Sequence, residues 1–276
     1  MKRIIYVLGA ILCFSVSLNV LYEFKTHKFE KKIHKLLQKN IPQKNVPSEK
    51  ALATYNNQPL GAFNGVYDTK EDSTISIVFL GNSITYHSAW EDVGDQRRRG
   101  MAATSLEKDY VHQLLRLIAD SHNVNIQYSI TNIAQMERRF ATFEFDMDSC
   151  FQMLEVTNPD ILILQIGENV NGNDIETKPD KFKDLYGKIF DYYSGSRKFV
   201  TLPFWLRQDE NYLITEVATD YGAIVVDLSH LGADPAKNYA SSFKHYENVG
   251  IGMHPGDEGM LSIANCLFSA IHALIP

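Results

Sequence analysis

One serine stands where the sequence predicts that a buried strand gives way to a turn. Ser83 lies in the pentapeptide GNSIT of residues 81–85, directly after the apolar run 75–80. A turn at the carboxyl end of a buried strand exposes the serine hydroxyl, and a following helix would direct its N–H groups and positive dipole end at an oxyanion. We therefore expect Ser83 to be a nucleophile, provided that the chain also supplies a base and further oxyanion donors.

Three further residues with suitable chemistry come later in the chain. Ala134 follows the second predicted strand, Asn169 follows the third, and His254 precedes the last predicted helix. Histidine is the usual base for a serine nucleophile. The Asn169 side chain and the backbone N–H groups of Ser83 and Ala134 can donate hydrogen bonds to an oxyanion. These residues together predict a site for acyl transfer.

Short apolar runs rich in β-branched residues alternate with segments of helical periodicity. The predicted strands cover residues 73–80, 126–133, 161–166, 198–203 and 223–228. The predicted helices cover residues 105–121, 147–157, 178–193, 209–221 and 257–273. This alternation predicts an α/β fold with a five-stranded parallel sheet covered by helices on both faces. Because ligands of such sheets bind beyond the carboxyl ends of the strands, we expect the reactive residues to meet at that edge.

The ordered set of serine, oxyanion residue, asparagine and histidine resembles the SGNH (GDSL-like) hydrolase superfamily. The resemblance rests on the pentapeptide 81–85, on Gly-Glu-Asn at 167–169 and on His-Pro at 254–255, and it covers the chain from about residue 73 onward. It implies a flavodoxin-like three-layer α/β/α sandwich. It also implies an esterase that acts on acetylated carbohydrates without cofactor or metal, with Ser83, Ala134, Asn169 and His254 as its catalytic residues.

The chain departs from the pattern of this superfamily at three positions. Asn82 stands where an aspartate usually precedes the serine, and Ala134 stands in place of the oxyanion glycine. Ile251 occupies the position, three residues before His254, where the superfamily commonly has the aspartate that orients the histidine. A backbone carbonyl can hold the ring N–H in that case, so we expect a Ser-His dyad.

Aromatic and basic residues near the predicted strand ends are candidates for substrate contact. Trp90 and Trp205 can stack on a sugar ring, or they can simply cover the core. Arg97, within the basic run 97–99, can bind a carboxylate of the substrate or lie in solvent. Both interpretations remain open for each of the three residues.

The N-terminal region differs in composition from the rest of the chain. Residues 4–22 carry no charge and would form a helix of about 28 Å, long enough to cross a bilayer. We expect a signal anchor or signal peptide in residues 1–24, a basic helix and linker in 25–59, and the hydrolase domain in 60–276. This predicts a membrane-anchored or exported protein at the periplasm or cell surface. The lysines of 25–39, by contrast, would favour a cytoplasmic location for the part of the chain that follows the anchor.

Charge and motif content narrow the possible functions. Residues 1–40 hold eight Lys or Arg and two Glu, which leaves 19 basic and 31 acidic residues in the remainder. An acidic body argues against a nucleic-acid partner. The α/β-hydrolase elbow Gly-x-Ser-x-Gly is broken by Thr85, and neither a phosphate-binding loop nor a His-Glu-x-x-His motif occurs. The alternatives to an esterase are a glycan O-acyltransferase and a non-catalytic glycan-binding protein; the oligomeric state stays open.

Overall fold

The computed structural model describes residues 62–69, 73–87 and 98–275. The predicted anchor at 1–24, the basic helix and linker at 25–59, and the residues Trp90 and Arg97 lie outside the described residues. The proposed domain boundaries therefore remain predictions. Within the described ranges, no helix combines the length and the apolar character that a bilayer crossing requires.

Six strands form one sheet in the order β1-β3-β2-β4-β5-β6. The strands are β1 (Ala62–Tyr67), β2 (Thr74–Gly81), β3 (Asn125–Asn132), β4 (Ile161–Gln165), β5 (Arg197–Leu202) and β6 (Ile224–Asp227). Strands β2 to β6 pair in parallel, whereas β1 pairs antiparallel with β3. The parallel strands follow the flavodoxin-like order, in which the first of them, β2, lies between the second, β3, and the third, β4.

Helices cover both faces of the sheet. They are α1 (Tyr110–His122), α2 (Ala134–Arg139), α3 (Met147–Phe151), α4 (Gly172–Thr177), α5 (Pro179–Tyr192), α6 (Gln208–Asp220), α7 (Ser229–Gly232), α8 (Pro235–Asn238), α9 (Val249–Met253) and α10 (Asp257–Ile271). Ile77 and Phe79 of β2 pack in one core cluster with α1 and α10, whereas Val78 and Leu80 pack in a second cluster with α5 and α6. Because β2 is buried on both faces, its apolar run is continuous.

The prediction of five parallel strands is confirmed, but the sheet has a sixth strand that the sequence did not indicate. Strand β1 lies in a stretch for which we predicted neither strand nor helix, and most of its residues are half-exposed. An edge strand with one neighbour needs no long apolar run, since backbone pairing with β3 supplies its hydrogen bonds. Asn64 adds a side-chain acceptor for the Ser129 hydroxyl at 2.6 Å.

Candidate active site

Ser83 lies in a tight turn immediately after β2. The carbonyl of Asn82 accepts hydrogen bonds from the N–H groups of Thr85 at 3.1 Å and Tyr86 at 2.9 Å. The first predicted helix, at 105–121, does not adjoin this turn: the described chain continues irregularly to His87, whose N–H donates to the Arg99 carbonyl at 2.8 Å. His87 and Arg99 form an isolated antiparallel bridge.

Gly81 is required at the entrance to this turn. A Cβ atom at that position would lie 1.8 Å from the hydroxyl oxygen of Thr85. The side chain of Asn82 stabilises the same turn, because its Oδ1 accepts the N–H of Ile84 at 3.0 Å. The turn therefore rests on a small residue before the serine and on a local side-chain cap.

The hydroxyl of Ser83 meets the imidazole of His254. The Oγ atom of Ser83 lies 2.9 Å from Nε2 of His254, and Nδ1 of the same ring lies 2.7 Å from the carbonyl oxygen of Gly250. A carbonyl oxygen can only accept, so Nδ1 carries the proton and the lone pair of Nε2 faces the serine O–H. This is the tautomer in which histidine acts as a general base toward serine.

A short helix turn brings the Gly250 carbonyl to the ring. Asn248 caps the N-terminus of α9, and its side chain accepts the N–H groups of Gly250 at 2.9 Å and Ile251 at 3.4 Å. At the end of α9, the N–H of His254 donates to the Ile251 carbonyl at 3.1 Å. The backbone of this turn thus orients the imidazole, so that the Ile251 side chain has no part in it. The geometry is that of the expected dyad.

The surroundings of His254 favour its neutral form. Burial lowers the pKa of the imidazole to about 4, against the opposing effect of the hydrogen bond to the Gly250 carbonyl. The indole of Trp205 approaches the ring edge-on, with centroids 5.4 Å apart and planes at 85°. A neutral imidazole with a free Nε2 lone pair is ready to accept the serine proton.

The predicted oxyanion residues Ala134 and Asn169 stand at the same edge of the sheet as Ser83. Gly81 at the end of β2 is in register with Asn132 of β3 and Gln165 of β4, so all three chain segments leave the sheet side by side. Ala134 begins α2, where the helical backbone suits an alanine as well as a glycine.

Both predicted donors bond to protein groups in this structure. The N–H of Ala134 donates to Oδ1 of Asn132 at 2.9 Å. Nδ2 of Asn169 donates to Oε1 of Glu137 at 2.6 Å. A carboxamide nitrogen carries two hydrogens, so Asn169 keeps one for an oxyanion, whereas Ala134 would have to share or release its single N–H. The oxyanion roles of both residues stay predictions.

Two buried glutamates lie at the Gly-Glu-Asn segment, Glu168 within it and Glu137 beside it, and the sequence assigned a role to neither. Glu137 of α2 accepts the N–H groups of Gly167 at 2.6 Å and Asn169 at 3.2 Å. Burial and the neighbouring charge of Glu168 raise the pKa of Glu137 to about 7, and burial also raises the pKa of Glu168. The spacing of Glu137 three residues after Ala134 was visible, but nothing in the sequence revealed its burial.

Glu168 explains why asparagine precedes the serine. Nδ2 of Asn82 donates to Oε2 of Glu168 at 2.6 Å. The other oxygen of Glu168 accepts the side-chain amide of Gln165 at 2.6 Å and the N–H of Phe204 at 2.9 Å. An aspartate at position 82 would face this carboxylate with no N–H to donate. The buried carboxyl group next to the turn of residues 81–85 is therefore that of Glu168.

Trp205 is the one candidate substrate residue among the described positions. It packs against the core cluster of α1 and α10 and also contacts His254. Core packing is thus observed for Trp205, while sugar stacking stays a prediction. Across the described ranges, His, Cys, Asp and Glu side chains form no group of three that would hold a metal ion.

No protein-family model matches the chain, and no curated protein sequence matches it. A GDSL-like lipase of Bacteroides uniformis is similar over 75% of this chain and 100% of its own, with 13% identity and a TM-score of 0.47. A carbohydrate esterase family 2 enzyme of Myceliophthora fergusii is similar over 72% of this chain and 66% of its own, with 13% identity and a TM-score of 0.44. A GDSL-like lipase of Bacteroides ovatus is similar over 73% of this chain and 100% of its own, with 15% identity and a TM-score of 0.47.

Proposed function

We propose that the protein is a serine esterase that removes an acyl group, acetyl in the first instance, from a carbohydrate. The observation that carries the proposal is the contact of 2.9 Å between Oγ of Ser83 and Nε2 of His254, with Nδ1 of the ring fixed by the Gly250 carbonyl. A serine with a neutral, correctly oriented histidine is the machinery of covalent acyl transfer.

The reaction follows from these contacts. Oγ of Ser83 attacks the ester carbonyl carbon while Nε2 of His254 takes the hydroxyl proton. The carbon–oxygen bond to the sugar breaks, and His254 returns the proton to the departing alkoxide oxygen. Water then attacks the acyl carbon and gives a proton to Nε2 of His254. The bond between the acyl carbon and Oγ of Ser83 breaks, His254 returns the proton to Oγ, and the carboxylic acid leaves. Asn169 donates a hydrogen bond to the oxyanion in both halves of the reaction.

The carbohydrate part of the proposal rests on Trp205 and on charge. An indole beside the base can contact the apolar face of a sugar ring as well as shield the imidazole. The acidic character of the chain after residue 40 makes a strongly anionic polymer an unfavourable substrate. We further propose that the predicted N-terminal anchor holds the domain at the membrane or that the protein is exported, where glycans occur.

Hydrolysis of 4-nitrophenyl acetate and of an acetylated oligosaccharide tests the proposal. Wild-type protein should release acetate from both, and Ser83→Ala should lose activity by several orders of magnitude because it lacks the nucleophile. Thr85→Ser, which keeps the turn hydroxyl but changes a neighbouring residue, is the matched control and should stay active. Undiminished hydrolysis by Ser83→Ala would disprove the assignment.

The same assay separates the esterase from the alternatives considered above. Transfer of acetyl to an added glycan, in place of release as acetate, would identify an acyltransferase that uses the same Ser83 intermediate. Absence of both activities, together with retained binding of the acetylated oligosaccharide, would identify a glycan-binding protein.

A further inference from the structure

The carboxamide of Asn169 is held at both ends by consecutive residues of one helix. Oε1 of Glu137 accepts from Nδ2 of Asn169 at 2.6 Å. The guanidinium of Arg138 donates to Oδ1 of the same carboxamide at 3.0 Å. Glu137 is fully buried and Arg138 is exposed. Both oxygens of Glu137 face N–H donors and act as acceptors in these contacts, and the Arg138 guanidinium can only donate, so the orientation of the amide is fixed.

The carboxylate of Glu137 is itself fixed independently of this amide. Its second oxygen accepts the backbone N–H groups of Gly167 at 2.6 Å and Asn169 at 3.2 Å. Both donors belong to the segment that carries the asparagine. Glu137 therefore ties the backbone and the side chain of Asn169 to α2, the helix that begins at the other predicted oxyanion residue, Ala134.

From these contacts we propose that Glu137 is a positioning residue, which orients the Asn169 carboxamide so that its second N–H points at the oxyanion. The inference rests on the proposed esterase function, and it identifies a role for a residue outside the motifs of the sequence. Without the carboxylate, the amide can rotate and present its oxygen, which would repel an oxyanion. A fixed donor is effective because it needs no reorganisation during the reaction.

A glutamine at position 137 has the shape of glutamate, but its carboxamide has a single oxygen acceptor, and an NH2 donor takes the place of the second oxygen. If its oxygen faces Asn169, its own NH2 group is directed at the N–H groups of Gly167 and Asn169. If it turns round, its NH2 group faces the Asn169 nitrogen and favours a flipped carboxamide. In either case the orientation of Asn169 is lost or weakened, while the volume of the side chain is kept.

The first readout is kinetic. Glu137→Gln should lower kcat for 4-nitrophenyl acetate by about 10- to 100-fold, somewhat less than the loss expected on removal of a whole oxyanion donor, and should leave KM nearly unchanged. Glu144→Gln removes an exposed carboxylate that pairs with Lys181 and Lys188, and should keep the wild-type kcat. A Glu137→Gln enzyme with wild-type kcat would refute the proposal while leaving the esterase function intact.

The second readout does not depend on activity. In protein labelled with 15N-asparagine, where the Asn169 side-chain signals are assigned with Asn169→Ala, the proton bonded to Glu137 should be shifted downfield of the range for solvent-exposed asparagines. Glu137→Gln should abolish that shift. If the variant does not fold, the wild-type spectrum decides: Asn169 side-chain protons at the chemical shifts of a solvent-exposed asparagine would overturn the proposal. If wild-type protein hydrolyses no ester, the function fails, and this spectrum still decides whether Glu137 orients Asn169.

Discussion

The imidazole of His254 should stay neutral between about pH 5 and 8, the range in which an ordinary histidine titrates. Burial lowers the pKa of His254 from 6.5 to about 4, and Trp205 covers one side of the ring. Since Nδ1 keeps its proton through the bond to the Gly250 carbonyl, the neutral ring presents the Nε2 lone pair to Ser83 throughout this range.

The size of the effect follows from the two pKa values. At about pH 5.5, an imidazole with a pKa of about 4 is about 97% neutral, whereas one with a pKa of 6.5 is about 9% neutral, a difference of about tenfold in available base. The same difference in pKa corresponds to about 3 kcal/mol of stability. Because the folded-state pKa is the lower one, this contribution is complete above pH 6.5 and is lost as the pH falls toward 4.

The assay is an NMR titration of protein labelled with 13C-histidine, in which the His254 signal is assigned with His254→Asn. We expect no inflection of that signal between about pH 5 and 8, while free imidazole added to the sample serves as the internal control. A midpoint between about pH 6 and 7.5 for His254 would refute the reasoning, because the ring would then be solvated or paired with a carboxylate.

Three further changes test other parts of the site. Asn82→Asp should reduce the free energy of unfolding by about 1–3 kcal/mol, because it removes the side-chain donor to Glu168. The double variant Asn82→Asp with Glu168→Gln should restore most of this loss, because it exchanges the amide and the carboxylate. Additive losses of the two single variants in chemical denaturation would contradict this. Trp205→Ala should raise the pKa of the neighbouring imidazole toward 6.5 in the same titration, and an unchanged pKa would assign its burial to other groups. Gly81→Ala should cost about 1–3 kcal/mol or more by crowding the nucleophile turn, whereas Gly172→Ala, which meets no atom within 4 Å, should not; equal denaturation midpoints would contradict the role of Gly81.

The five parallel strands and the residues Ser83 and His254 could be predicted because each left a local signal, whereas the flavodoxin-like arrangement was what the family resemblance implied. The buried strands are continuous apolar runs, Ser83 follows one of them, and His254 precedes the last helix. The missing aspartate at position 251 also pointed correctly to a carbonyl at Nδ1. Which carbonyl was not predictable, because it depends on how Asn248 caps a helix of five residues.

The features that were missed depend on contacts between distant segments. Strand β1 is stabilised by pairing with β3, which follows in the chain only after β2 and α1. The residues of β1 are themselves mixed in polarity. Glu137 and Glu168 look like ordinary surface glutamates in the sequence. Their burial follows from amide and backbone donors that converge on each of them from neighbouring loops.

The central claim is that Ser83, activated by His254, is a covalent nucleophile. Incubation with a fluorophosphonate followed by peptide mass spectrometry tests it directly. The account predicts a single phosphonyl adduct on Ser83 in the wild-type protein, with labelling greatly slowed in His254→Ala and absent in Ser83→Ala. An unlabelled Ser83 in folded wild-type protein, or an adduct on another residue that accompanies ester hydrolysis, would contradict it.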